Sequence, residues 1–148
     1  MEIEIFQIDA FTSELFKGNP ACVIPLDDWL PDELLLNIAK ENNVSETAFF
    51  VKKNNGYHLR WFTPEIEMDL CGHATLATAY CLKYHLDYKK DKVIFDSMSG
   101  ELEIKYKGEF IQMDFPHRKP VKANLPKNIM DSLSYKPIEV LKSRDYVL

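Results

Sequence analysis

A glutamate, Glu46, stands between Ser45 and Thr47 in "NNVSETAFF", at the lip of an apolar run. A carboxylate held at such an edge is a candidate general acid or base, provided that a second polar group and a substrate meet it there. Further along, "MDLCGHATLATA" sets Cys71, Gly72 and His73 directly before an apolar helical pattern. The first N–H groups of a helix have no partner within it, and with the positive end of its dipole they make a site for a carboxylate or phosphate. Each residue also has a plain structural reading. A glutamate at a strand start is commonly a solvated edge residue, Cys71 a small buried hydrophobe, Gly72 a tight turn and His73 a polar residue at a helix start. The chemistry depends on whether the fold joins the two edges.

The elements that must position these residues can be read from periodicity. "IEIFQIDAF" alternates as a strand, and "GNPACVIPL" turns at Gly18 and Asn19 into a second one. "LPDELLLNIAKENN" places Pro31 at a first helical position, Asp32 and Glu33 in the first turn, and Leu34, Leu35, Ile38 and Ala39 on one face. It ends near Asn42 and Asn43, where asparagine suits a left-handed cap. "ETAFFVKK" and "GYHLRWFT" flank a hairpin turn at Asn55 and Gly56. The helix "GHATLATAYCLKYHL" is apolar on more than one face, through Leu76, Ala77, Tyr80, Cys81 and Tyr84, so it is expected to be buried. "KVIFDSMSGELEIKYKGEFIQMDFP" reads as a three-stranded meander with Leu102, Ile104 and Tyr106 inward. The fold class is therefore α+β, one domain over residues 1–118. From residue 119 the chain reads as a connector, a short helix-like "NIMDSLS" and two strand-like pieces, "PIEVL" and "DYVL".

Composition narrows the function. The 148 residues are 46% hydrophobic and 28% charged, ordinary for a water-soluble domain, and the net charge of −5 leaves 18 scattered Lys and Arg without a basic stripe. Nucleic acid is not an expected partner. The acidic start "MEIEIFQIDAF" lacks the positive, then apolar, order of a signal peptide, and no apolar run approaches membrane-spanning length, so no membrane partner is expected and the expected location is cytoplasmic. Cys22, Cys71 and Cys81 show no C-x-x-C spacing, which argues against a disulfide framework or a zinc motif.

Four stretches in this order, "FTSELFKGNPACVI", "NNVSETAFF", "LRWFTPEIEMDLCGHATLATA" and "DSMSGELEI", resemble the phenazine-biosynthesis isomerase family, PhzF, whose fold is that of diaminopimelate epimerase. The resemblance implies two similar domains, each a barrel-like sheet around a central helix, with the active site in the cleft between them; the helix at 73–86 would be the first domain's. It implies that Glu46 is the acid/base, assisted by His73, moving a proton between two carbons of a small carboxylate-bearing substrate. Asn19 in the G-N-P turn, Ser45, Cys71, Gly72 and Ala74 would line the substrate. No cofactor is implied. A catalytic thiol stands at the position of Cys71 in the related epimerases, and a helix start favours a thiolate.

The length departs from the family pattern. Residues 119–148 represent only the beginning of a second, truncated domain, and "DYVL" breaks off inside an apolar pattern. The expectation is an isomerase whose second wall lies beyond this sequence or comes from a second copy in a homodimer. The alternative is a non-catalytic epimerase-like module that binds its own kind or another chain along an open strand edge.

Overall fold

The computed structural model describes residues 2–14 and 16–143. The first strand, β1 (Phe6–Ala10), is shorter than its alternating pattern, because Phe11 turns away at a left-handed φ of 65°. Gly18 brings the chain back at φ 84°; a Cβ there would lie 2.3 Å from the Ala10 carbonyl oxygen, so only glycine fits. β2 (Asn19–Leu26) then runs antiparallel to β1, with Asn19 opposite Ala10.

Helix α1 (Asp32–Asn42) starts one residue after Pro31, which is its N-cap rather than its first turn. It closes as its composition demands, with Asn43 left-handed at φ 50° and its N–H bonded to the Ala39 carbonyl. Leu35 and Ala39 pack with Ile24, Phe49 and Phe62 on one face of the sheet. β3 (Glu46–Lys53) lies parallel to β2, and β4 (Gly56–Phe62) returns antiparallel, with the short β5 (Glu67–Met68) on its end. The hairpin turn differs from the expected one. Its two residues are Asn54 and Asn55, while Gly56 already pairs with Lys53 and is needed because a Cβ would come 2.1 Å from the Ile94 carbonyl oxygen.

Helix α2 (Gly72–Tyr84) leads to the meander β6 (Lys92–Ser97), β7 (Gly100–Lys107) and β8 (Phe110–Asp114). β6 joins β4 in parallel, and the strand order becomes β1-β2-β3-β4-β6-β7-β8. The helix packs on β1, β2 and β3 and also on β8, the far end of that order, so the sheet curls around it as a half-barrel. Alanines and threonines make this close fit possible: Ala74, Ala77, Ala79, Thr75 and Thr78 are fully buried, and both threonine hydroxyls donate to carbonyls one turn back, at Cys71 and Ala74. Trp61, Phe95, Leu59, Leu102 and Ile104 fill the space between helix and sheet. The meander follows its alternation, and Tyr106 donates its hydroxyl to the Ala79 carbonyl at 2.8 Å. Tyr80 and Tyr84, expected in the core, are instead exposed, their rings tilted against each other with centroids 4.5 Å apart, since the half-barrel leaves that side of α2 open.

The chain divides into two compact units, Met1–Phe115 and Pro116–Leu148. In the second, β9 (Val121–Lys122) pairs antiparallel with β10 (Leu141–Lys142), and α3 (Lys127–Met130) is a single turn. The strand expected over "PIEVL" is confined to its last residue, and "DYVL" lies outside the described residues. None of this unit's described side chains is buried. Among the described residues no helix is long and apolar enough to cross a membrane.

Candidate active site

The site begins with the parallel pairing of β2 and β3. Their register sets Glu46 opposite Ala21, so Glu46 opens β3 close to where Asn19 opens β2. The Ser45 hydroxyl donates to Asn19 Oδ1 at 3.5 Å, and Asn42 Nδ2 donates to the buried Thr47 hydroxyl at 3.1 Å. Asn42 was legible only as a helix end; its second task is to hold the backbone on which Glu46 sits. Thr47, Ala48 and Phe49 after it are buried, which anchors the strand while leaving the Glu46 side chain 18% exposed.

Helix α2 presents the other half. His73 lies in its first turn, 9% exposed, with Nε2 3.3 Å from Glu46 Oε2. The two atoms are within ion-pair reach, yet neither has a partner in hydrogen-bond alignment, so a small rotation of either side chain is enough to form the bond. At the other ring nitrogen, Cys71 Sγ is 3.4 Å from Nδ1. Cys71 is the N-cap, in extended conformation, and its side chain makes no capping bond. Glu46, Cys71 and His73 thus offer one carboxylate oxygen, one sulfur and one nitrogen all within 4.8 Å of one another.

Burial corrects the expected thiolate. It pushes the Cys71 thiol up to about 12; the Glu46 carboxylate pushes the same way, and the N–H groups of Ala74 and His73 only partly offset them. Gly72 is also not the tight turn its type allowed. It has no left-handed φ, and a Cβ there would meet nothing within 4 Å, so the space over the helix start is open to an approaching group. Ala74 is fully buried against the core, not in that space. The approach to α2 is fixed from an unexpected quarter: Ser99, in the turn between β6 and β7, donates its hydroxyl to the Asp69 carbonyl at 2.8 Å. The polar turn in "DSMSGELEI" was the available signal.

A carboxylate and an imidazole beside the open start of a helix form a set able to move a proton on a bound acid. Residues 8–136 match the family model described as "Phenazine biosynthesis-like protein". The chain belongs to this phenazine biosynthesis-like, or PhzF, family. An uncharacterized isomerase of Pseudomonas aeruginosa is 50% identical over the whole chain, and one of Halalkalibacterium halodurans is 43% identical. The chain spans about 57% of the length of each of these relatives. The crystal structure of a PhzF-family phenazine biosynthesis protein of Enterococcus faecalis superposes with a TM-score of 0.84 at 45% identity, covering 95% of this chain and 54% of that one. A predicted epimerase of Pseudomonas aeruginosa, 22% identical over 74% of this chain and 41% of its own, shares the fold with a TM-score of 0.63. The PhzF assignment and the curled sheet around α2 agree with the diaminopimelate epimerase-like fold expected from the motifs.

Proposed function

We propose that this chain carries the Glu46 half of a cofactor-independent isomerase that shifts a proton between carbons of a small carboxylate-bearing substrate. The observation that carries the reading is the 3.3 Å approach of Glu46 Oε2 to His73 Nε2 beside the open start of α2. In this reading the substrate carboxylate lies over the first N–H groups of the helix, Asn19 and Ser45 border it, and Glu46 takes a proton from one carbon. Glu46 then delivers that proton to the second carbon, while His73, facing it, assists by steadying the carboxyl that carries the proton in between. The isomerase names of the relatives support the reaction class. In this reading the protein works in the cytoplasm, where its three free cysteines stay reduced.

The test is solvent-deuterium exchange, followed by NMR, into a panel of small cyclic and enolisable carboxylic acids. Glu46→Gln should leave the fold intact and slow exchange at least about a hundredfold, the lower range for a positioned acid/base. Exchange at the wild-type rate in that variant would sink the proposal.

A second reading rests on the unit from Pro116 onward, where Tyr135 and Ile138 are almost fully exposed and no described side chain is buried. The reading is that another chain covers these exposed apolar groups, in a homodimer or heteromer. A monodisperse monomer, unchanged when residues 137–148 are removed, would eliminate it.

A further inference from the structure

We propose that Cys71 is a positioning residue for this site: its thiol donates to Nδ1 of His73 and so holds the imidazole in the tautomer whose Nε2–H faces Glu46. The inference rests on the proposed function for its consequence and on geometry for the tautomer. A neutral imidazole carries one proton on its two nitrogens, so one nitrogen donates and the other accepts. Nε2 is 3.3 Å from Glu46 Oε2, and an ionised carboxylate only accepts. With the proton on Nδ1, two lone pairs would face each other where both atoms are out of contact with water, an arrangement that buried polar atoms avoid. Placing the proton on Nε2 turns the same contact into a donor and an acceptor. Nδ1 is then left as an acceptor, and Cys71 Sγ lies beside it at 3.4 Å.

The sulfur is well placed for that role. Cys71 is 7% exposed, and burial keeps its thiol protonated at neutral pH, so it has a proton to donate. Its backbone is held by Thr75, whose N–H and hydroxyl both donate to the Cys71 carbonyl, and its side chain is not occupied by a capping bond. A sulfhydryl is a weak donor, which is enough to bias two tautomers that differ only in which nitrogen carries the proton. The consequence falls on Glu46. With Oε2 tied to Nε2–H, Oε1 is the oxygen left to take the proton from one carbon and return it to the other. Cys71 keeps its own proton throughout, and no bond to sulfur forms or breaks.

The experiment is long-range proton–nitrogen correlation NMR on the intact, nitrogen-labelled chain at about pH 8 with no acid added, which tells a protonated ring nitrogen from a bare one. The wild type should show His73 with its proton on Nε2 and a bare Nδ1. A proton on Nδ1 alone, or on both nitrogens, overturns the proposal. In Cys71→Ala the ratio of the two tautomers should shift by about three- to tenfold toward Nδ1–H, the worth of one neutral hydrogen bond. Deuterium exchange into the fastest-exchanging acid of the panel should slow by a similar factor. Cys71→Ser keeps a donor on the same carbon and should recover most of both losses. An unchanged ratio in the alanine variant, or a serine variant no better than alanine, also overturns the proposal. If the alanine variant does not fold, the wild-type spectrum decides. A wild type with the expected tautomer that exchanges no deuterium would sink the isomerase reading and leave the tautomer assignment standing; exchange by a wild type that carries its proton on Nδ1 would do the reverse.

Discussion

Replacing Gly56 by alanine separates two explanations of one residue, because they predict opposite signs. If Gly56 served only the hairpin turn, its φ, which is not left-handed, would suit alanine. The change would then stabilise the protein by about 0.4–1 kcal/mol through the unfolded chain. The geometry says otherwise. A Cβ would be placed 2.1 Å from the Ile94 carbonyl oxygen, and that oxygen belongs to backbone, which cannot swing aside as a side chain does. Forcing an extra carbon into a packed position costs about 1–3 kcal/mol. The strain falls on the pairing of β4 with β6, which in register terms is only Tyr57 opposite Phe95 and His58 opposite Asp96. With a urea dependence of about 2 kcal/mol per molar, in the middle of the range for small proteins, the unfolding midpoint should drop by about 0.5–1.5 M. Circular dichroism across a urea series measures it directly. A midpoint equal to or above that of the wild type would refute the close-approach argument.

Arg60 donates to both Glu67 oxygens at 2.6 and 2.7 Å, reaches Asp32 at 3.0 Å, and lies over the rings of Trp29 and Phe62. Arg60→Lys keeps the charge but loses the paired donors, so we expect a loss of about 1–3 kcal/mol, with Glu67 accounting for most of it because Asp32 is largely exposed; an unchanged urea midpoint would contradict this. With its thiol pushed up to about 12, Cys71 should be alkylated by iodoacetamide at pH 8 about a thousandfold more slowly than an ordinary thiol, on thiolate fraction alone, and peptide mapping that finds it labelled as fast as a free cysteine would be decisive against it. Cys81 is likewise pushed up to about 12, chiefly by burial. Both thiols have a higher pKa folded than unfolded, so the stability they contribute is complete below about pH 9 and is lost as pH rises toward 12. By pH 10 the loss should be on the order of 1 kcal/mol for each, and a urea midpoint that stays flat between pH 8 and 10 would rule it out.

Most of the half-barrel was legible because its signals are local. Alternation marked β7 correctly down to the inward Tyr106, and Asn43 capped α1 as an asparagine should. The residues that sequence reasoning misplaced are those whose roles depend on distant partners. Gly56 looks like a turn glycine until β6 is laid beside it, and Tyr80 looks like core until the sheet stops short of enclosing α2. The site divides in the same way. Glu46 and His73 were evident as residue types at two edges, but their 3.3 Å approach follows from the β2–β3 register and the entry of α2. The thiolate expected of Cys71 failed because the helix start is a weak, short-range effect and burial at that position is stronger.

The hairpin between β3 and β4 has a practical consequence. Glu46 is the first residue of β3 and Lys53 the last, so at about 3.3 Å per residue Lys53 lies roughly 23 Å along the strand from Glu46, with the Asn54–Asn55 tip beyond it. Loop tips of small polar residues accept insertions readily. A fluorophore or affinity tag placed between Asn54 and Asn55 would therefore report on the protein from the end of β3 away from Glu46, without lengthening any element that holds Glu46 or His73.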